Sequence, residues 1–300
     1  MRIATTLLTT LVGVPIDSAG YPNGLERMPQ ALRDAGIARY LNLRDDGDLP
    51  VAIAPPERDR ITGIIGFESV CKTSDSIRAH IKNLLARGER PLVLGGCCTI
   101  LIGIFAALRE HYGRAGLAFV DGHLDFYDGR SSPTGEAADM ELAILLGIGP
   151  TGLVGLAGTP PLVSSRDVVV FGHRDAEEAL QAGALNPEVV APGITLIDAQ
   201  TIRKSVPSEW GIETAKRFES NARHFWLHLD LDVLDKDILP AVDYPMPDGL
   251  NWEAVAEFVG PLAHSPALIG VDITIYNPRL DPDGQYAKQI VAWLAKMLST

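Results

Sequence analysis

Cysteine is scarce in this chain. Its 300 residues hold only Cys71, Cys97 and Cys98. Two neighbours and one distant thiol cannot build a disulfide framework, so the composition predicts a reducing, cytoplasmic setting. Basic residues are also few. Lys and Arg number 26 against 38 Asp and Glu, a formal net charge of −12, which excludes a surface made for nucleic acid or an anionic membrane. No apolar run reaches the roughly 18 residues of a membrane span. Met1–Val14 carries Arg2 and then Leu7, Leu8 and Leu11, faintly like a secretion signal, but four threonines break it up and no small-x-small site follows. Gly13-Val14-Pro15 reads as a strand end, so a first strand is expected there instead. No repeat, low-complexity tract or linker divides the chain, and a single domain over residues 1–300 is expected.

What the chain has in quantity is apolar sequence, 46% of its residues, cut into short runs. The spacing predicts strands over Leu7–Val14, Pro91–Leu94, Leu117–Val120, Asp167–Phe171, Ile194–Asp198, Phe225–Leu231 and Leu268–Ile275. Helices are predicted over Met28–Ala35, from a cap at Ser74 to Arg87, and over Thr99–Tyr112, Ala137–Leu146, Glu209–Glu219, Trp252–Leu262 and Gln285–Leu298. Strand and helix alternate throughout, which implies an α/β fold with a mostly parallel sheet covered on both faces. Gly147-x-Gly149-x-x-Gly152 has the form of a dinucleotide fingerprint. It follows a predicted helix instead of a strand and contains Pro150, so a nucleotide site is not expected.

One stretch stands apart: Phe225-Trp-Leu-His-Leu-Asp-Leu-Asp-Val-Leu-Asp235. With a period of two, His228, Asp230 and Asp232 share one face of an otherwise apolar strand. Carboxylates side by side on such a face need a metal ion, a basic partner or solvent. A calcium loop is excluded, because Asp235 stands where an EF-hand requires glycine. Two further polar clusters fall at strand ends, Cys97-Cys98 and Asp121-Gly-His123-Leu-Asp125. Parallel sheets bind ligands at that edge. The residue types suit a two-metal site; solvated strand ends are the other reading that spacing leaves open.

These motifs resemble the ureohydrolases, the family of arginase and agmatinase, over nearly the whole chain. Gly95-Gly96-Cys97-Cys98-Thr99 corresponds to the family's Gly-Gly-Asp-His-Ser, Asp121-Gly122-His123-Leu124-Asp125 to Asp-Ala-His-x-Asp, and Asp230-Leu231-Asp232-Val233-Leu234-Asp235-Lys236 to Asp-x-Asp-x-x-Asp-Pro. The resemblance implies a three-layer α/β/α sandwich and two manganese ions bridged by hydroxide. It also implies a small-molecule substrate and a homo-oligomer, a trimer or hexamer by the family's habit. Asp121 and Asp230 would bridge the ions, Asp125 would complete one site, and His123 and Asp232 the other. Cys98 takes the place of the family's first histidine ligand, and sulfur moves the metal preference towards zinc or iron.

The departures lie in the substrate pocket. Ile275 stands where the family has a glutamate, Ala138 where it has a proton-shuttling histidine, and Tyr127 where it has the specificity-loop asparagine. Thr134 and Glu136 occupy the Ser-Gly-Asn motif, and Glu177 is a further pocket candidate. The expected activity is hydrolysis of a carbon–nitrogen bond in a guanidino, amidino, ureido or amide group, in a substrate other than that of arginase or agmatinase proper. Asp125 is expected to accept a proton from the hydroxide, and His173, His228 or Glu136 to protonate the leaving amine. The alternative is a regulatory or assembly subunit that keeps the fold and has lost turnover.

Overall fold

Among the described residues the chain forms eight strands: β1 (Thr10–Val14), β2 (Arg44–Asp48), β3 (Pro91–Gly95), β4 (Gly116–Val120), β5 (Val168–Phe171), β6 (Thr195–Ile197), β7 (Phe225–Asp230) and β8 (Leu268–Thr274). They pair into one all-parallel sheet in the order β2-β1-β3-β8-β7-β4-β5-β6. The structure is a computed structural model and describes residues 6–51, 56–221 and 224–299; Met1 to Thr5 of the signal-like stretch lie outside them. The inner strands are buried along their whole length, as continuous apolar runs in a parallel sheet must be.

Helices cover the sheet in two packed groups. Phe67–Ala86 lies against Ile100–Tyr112, while Pro207–Asn221 lies against Trp252–Ala263, which in turn meets Gln285–Met297. The α/β architecture is therefore the expected one. Among the described residues no helix is long and apolar enough to cross a membrane.

Three local expectations need correction. Ser74 does not cap a helix: the helix begins seven residues earlier, at Phe67, after Gly66 in a left-handed conformation. Ser74 is buried inside it, where its carbonyl lies against Gly103 of the partner helix so closely that a Cβ there would clash. Ala137–Leu146 is not one helix but a 3-10 turn, Ala137–Asp139, and a short helix, Glu141–Leu145. β2 was not predicted at all. Its sequence, Arg-Asp-Asp-Gly-Asp, carries no apolar alternation, and it pairs with β1 as an exposed edge. Arg33 binds Asp45 at 2.9 Å and Arg44 binds Glu89 at 2.7 Å. Charged side chains on an edge strand also deter pairing with other chains.

Candidate metal centre and cavity

The sheet order brings the three polar clusters together. The chain builds β1–β3 as one half and β4–β6 as the other, then lays β8 and β7 into the gap between β3 and β4. Cys97 and Cys98 follow β3, Asp121 to Asp125 follow β4, and Asp230 ends β7 beside Thr274 at the end of β8. The glycines before the cysteines are dictated by space, since a Cβ on Gly96 would collide with the Ile16 carbonyl.

Only part of the donor set stands on strand. Asp230 is the last residue of β7, and a 3-10 turn over Leu231–Val233 delivers Asp232. β4 stops at Val120, so Asp121, His123 and Asp125 lie on a loop whose Asp125 has φ +47°. The expected strand alternation is thus replaced by loop geometry. Backbone hydrogen bonds fix the loops: His123 N donates to Asp121 Oδ1 at 2.7 Å, Gly122 N to Asp232 Oδ1 at 3.0 Å and Asp232 N to Asp230 Oδ1 at 2.9 Å. Arg174 Nη2 donates to the Asp232 carbonyl at 2.7 Å and Arg174 N to the Gly122 carbonyl at 2.9 Å. The Arg174 guanidinium and Asp232 leave no room for a methyl at position 122, which accounts for glycine where the resembled motif has alanine.

Donor atoms of Asp121, His123 and Asp232 lie within 4.8 Å of one another, as do those of Cys98, Asp121, His228 and Asp230, and those of Cys98, Asp121, Asp125 and Glu141. Cys98 Sγ is 3.0 Å from Asp230 Oδ2, which also accepts from Thr274 Oγ1 at 2.9 Å. His123 Nδ1 is 3.0 Å from Asp232 Oδ2.

The charge balance of this cluster calls for cations. Asp121, Asp125, Glu141, Asp230 and Asp232 are each less than a tenth exposed, and among the described residues His123 and His228 face them with positive charge to offer, with the Arg174 guanidinium on the Asp232 carbonyl. Asp121 Oδ2 and both oxygens of Glu141 have no hydrogen-bond partner. A buried charge without a partner costs several kcal/mol. Burial pushes Asp125, Glu141 and Asp230 well above the usual carboxylate range. Burial would raise Asp121 too, but the imidazoles of His123 and His228, 3.7 and 3.6 Å away, hold it well below that range. Carboxylates, imidazole and one thiol in this arrangement fit two divalent ions.

A sequence profile of the arginase family matches residues 8–299. The chain belongs to the arginase family. Arginase from Bacillus caldovelox is 28% identical over 296 residues, covering 96% of this chain and 97% of that protein, and arginase from Brevibacillus brevis is 27% identical over 294 residues, covering 96% of each. The solved structure of the Bacillus caldovelox arginase superimposes with a TM-score of 0.84 at 25% identity, covering 98% of both chains. Formimidoylglutamase from Bacillus subtilis shares the fold, with a TM-score of 0.73 at 18% identity over 99% of this chain and 87% of that one. Homologues in this family are hydrolases that use two metal ions.

In this arginase-family chain the metal cluster forms the floor of a cavity of about 350 Å³, within the usual size of a small-molecule site. Cys98, His123, Asp125 and Asp232 reach it from below, and the pocket candidates Tyr127, Thr134, Glu136 and Ile275 line its walls. Ile275 has φ +72°, a conformation that costs a β-branched residue about 1–3 kcal/mol. Its N–H donates to the Gly96 carbonyl at 2.8 Å, which holds the turn.

Three expected site residues lie elsewhere. His228 is wholly buried in β7 and faces Asp121, with Nε2 at 3.6 Å from Asp121 Oδ2. It does not line the cavity, so it cannot hand a proton directly to a substrate bound there. His173 is buried behind the loop after β5 and is also absent from the lining. Glu177 points to solvent and accepts from Gln181 Nε2 at 3.2 Å. The carboxylates that do line the cavity from this segment are Asp175 and Glu178.

Sequence reasoning missed Glu141 entirely. The available signal was a single acid inside the apolar run Met140-Glu-Leu-Ala-Ile-Leu-Leu146. It also missed Asp243, which enters the cavity from a distant loop with nothing local to mark it.

Proposed function

We propose that this chain hydrolyses a carbon–nitrogen bond in a small, cationic guanidine or amidine. The observation that carries the reading is the charge of the cavity. Beyond the metal donors, Glu136, Asp139, Asp175, Glu178 and Asp243 line it, and among the described residues no lysine or arginine does. Such a wall favours a positively charged ligand and disfavours a carboxylate-bearing one. Arginine carries a carboxylate, so substrates other than arginine are favoured. Ile275 offers an aliphatic side chain where the resembled family places a glutamate, which leaves the cation to be held by the acidic walls.

Cys98, Asp121, Asp125 and Asp230 would hold one ion and Asp121, His123, Asp230 and Asp232 the other, with manganese expected ahead of zinc or iron. Bound there, the two ions would acidify water and polarise the target carbon. The protein's own residues do the remainder. Asp125 reaches the cavity at 8% exposure and accepts the proton that water releases. Glu136 supplies the proton for the leaving amine. It is the one of the three expected donors that lines the cavity. Burial pushes its pKa to about 7, aided by Asp17, Asp139 and Asp243 and opposed by a hydrogen bond from Ser18, which suits an acid working near neutrality. The acidic walls orient the cation so that its central carbon faces the metal cluster.

The same reading carries a homo-oligomer of three or six chains and residence in the cytoplasm. The test is a panel of guanidines, amidines, ureido compounds and amides offered to manganese-loaded protein, with urea, ammonia and amine release measured. Carboxylate-free cations should turn over fastest. Preferential hydrolysis of neutral or anionic members would sink the proposal. Two ions bound with no turnover of any panel member would favour the regulatory descendant instead, which Ala138 and Ile275 make a real second reading.

A further inference from the structure

Glu141 opens the short helix Glu141–Leu145 and is wholly buried. Among the described residues no donor reaches either of its carboxylate oxygens, and the Asp125 carboxyl stands against it. One of them lies within 4.8 Å of donor atoms of Cys98, Asp121 and Asp125. Every other residue from Leu142 to Leu146 is apolar, so nothing on its own element explains a charge there. A carboxylate set against the Asp121 and Asp125 carboxyls and the Cys98 thiol is costly unless a proton or a cation sits between them.

We propose that Glu141 is a direct ligand of the divalent ion on the Cys98 side of the cluster. This rests on the two-metal reading above and deepens it. Cysteine is shorter than histidine, and the sulfur of Cys98 lies at hydrogen-bond distance from Asp230 Oδ2, 3.0 Å away. The space and the donor that a histidine would supply at position 98 are provided instead from the other side, by Glu141. The ion then has carboxylates from Asp121, Asp125, Asp230 and Glu141 and one thiolate, a set of hard oxygen donors in which sulfur is the minority. That composition suits manganese better than the cysteine alone suggests.

The experiment compares the parent with Glu141→Met and Glu141→Gln by metal content after dialysis, by titration with manganese, and by the rise in melting temperature that manganese produces. None of these needs turnover. The parent is expected to bind two ions. Both variants should keep one of them and bind the other about tenfold more weakly or worse, with a smaller metal-induced rise in melting temperature. Metal-free Glu141→Met should melt no lower than the metal-free parent, because an unpaired buried carboxylate has been removed. If that variant does not fold, Glu141→Gln, of nearly the same shape, carries the comparison. Two ions held by both variants with parental affinity would overturn the assignment while leaving the two-metal reading intact. A parent that takes up no divalent ion would overturn both.

Discussion

His228 Nδ1 and Asp272 Oδ2 are 2.6 Å apart in the middle of the sheet, at the level where β7 and β8 place the two residues side by side. Both are wholly buried. The other oxygen of Asp272 accepts from Trp226 Nε1 at 2.5 Å, and the far nitrogen of the imidazole faces Asp121. The histidine therefore ties a carboxylate of the metal cluster to a carboxylate of the core. Its Nε2 faces Asp121 and it is absent from the cavity lining, so it does not touch a substrate bound there.

Removing that link should be felt as stability. His228→Ala leaves Asp272 and Asp121 without their shared partner, and breaking a buried pair costs about 3–5 kcal/mol. Urea unfolding of the metal-free variant should show the loss as a lower midpoint. An unchanged midpoint would mean that the imidazole contributes nothing between the two acids.

Metal content separates an enzyme from a silent descendant. About two divalent ions per chain are expected after reconstitution with manganese. Asp121→Ala and Asp230→Ala should lower occupancy most, because the two-metal reading has each residue serve both ions. Elemental analysis of the purified chain gives the number directly, and a metal-free result after reconstitution would remove the hydrolase mechanism.

The adjacent cysteines should behave differently. Cys98 approaches Asp230 within the donor cluster, whereas the Cys97 thiol lies 3.3 Å from Thr99 Oγ1, and burial pushes it up to about 12. Cys98→Ala should weaken the ion on that side and make it the first to leave under chelation, and Cys98→His should keep or raise occupancy. Cys97→Ala should change little. Chelator titrations of the three variants side by side decide the matter, and loss of metal only in Cys97→Ala would mean that the two positions have been exchanged.

Glu136 gives the activity a pH signature. A general acid must hold its proton, and the Glu136 carboxyl is pushed up to about 7 by burial. Activity on the best substrate of the panel should therefore decline as pH rises through about 7. Glu136→Gln should abolish that limb and lower kcat by about 10²-fold or more. A profile with the same limb in the variant would assign the titration to another group.

Arginine should be a poor substrate. The acidic walls repel its carboxylate. Urea release from arginine at about 10² per second, the pace of a competent enzyme, would contradict the cavity reading.

The sequence by itself determined the sheet and most of the donor set. Runs such as Phe225–Asp230 and Pro91–Gly95 are apolar because inner strands of a parallel sheet are buried on both faces, and that pattern is local. The acids after them are legible because charge at the end of an apolar run has few explanations. β2 escaped notice because an exposed edge strand needs no apolar face; it joins β1 through the backbone, Arg44 N donating to the Thr9 carbonyl at 3.0 Å and Leu49 N to the Gly13 carbonyl at 2.8 Å. Only the tertiary structure placed Glu141 under Cys98, turned His228 from the cavity towards Asp121, and sent Glu177 to solvent while Asp175 and Glu178 faced inward. In each case the deciding quantity is which neighbour fills the space beside the side chain. That neighbour comes from another strand or loop, and only folding the chain brings it there.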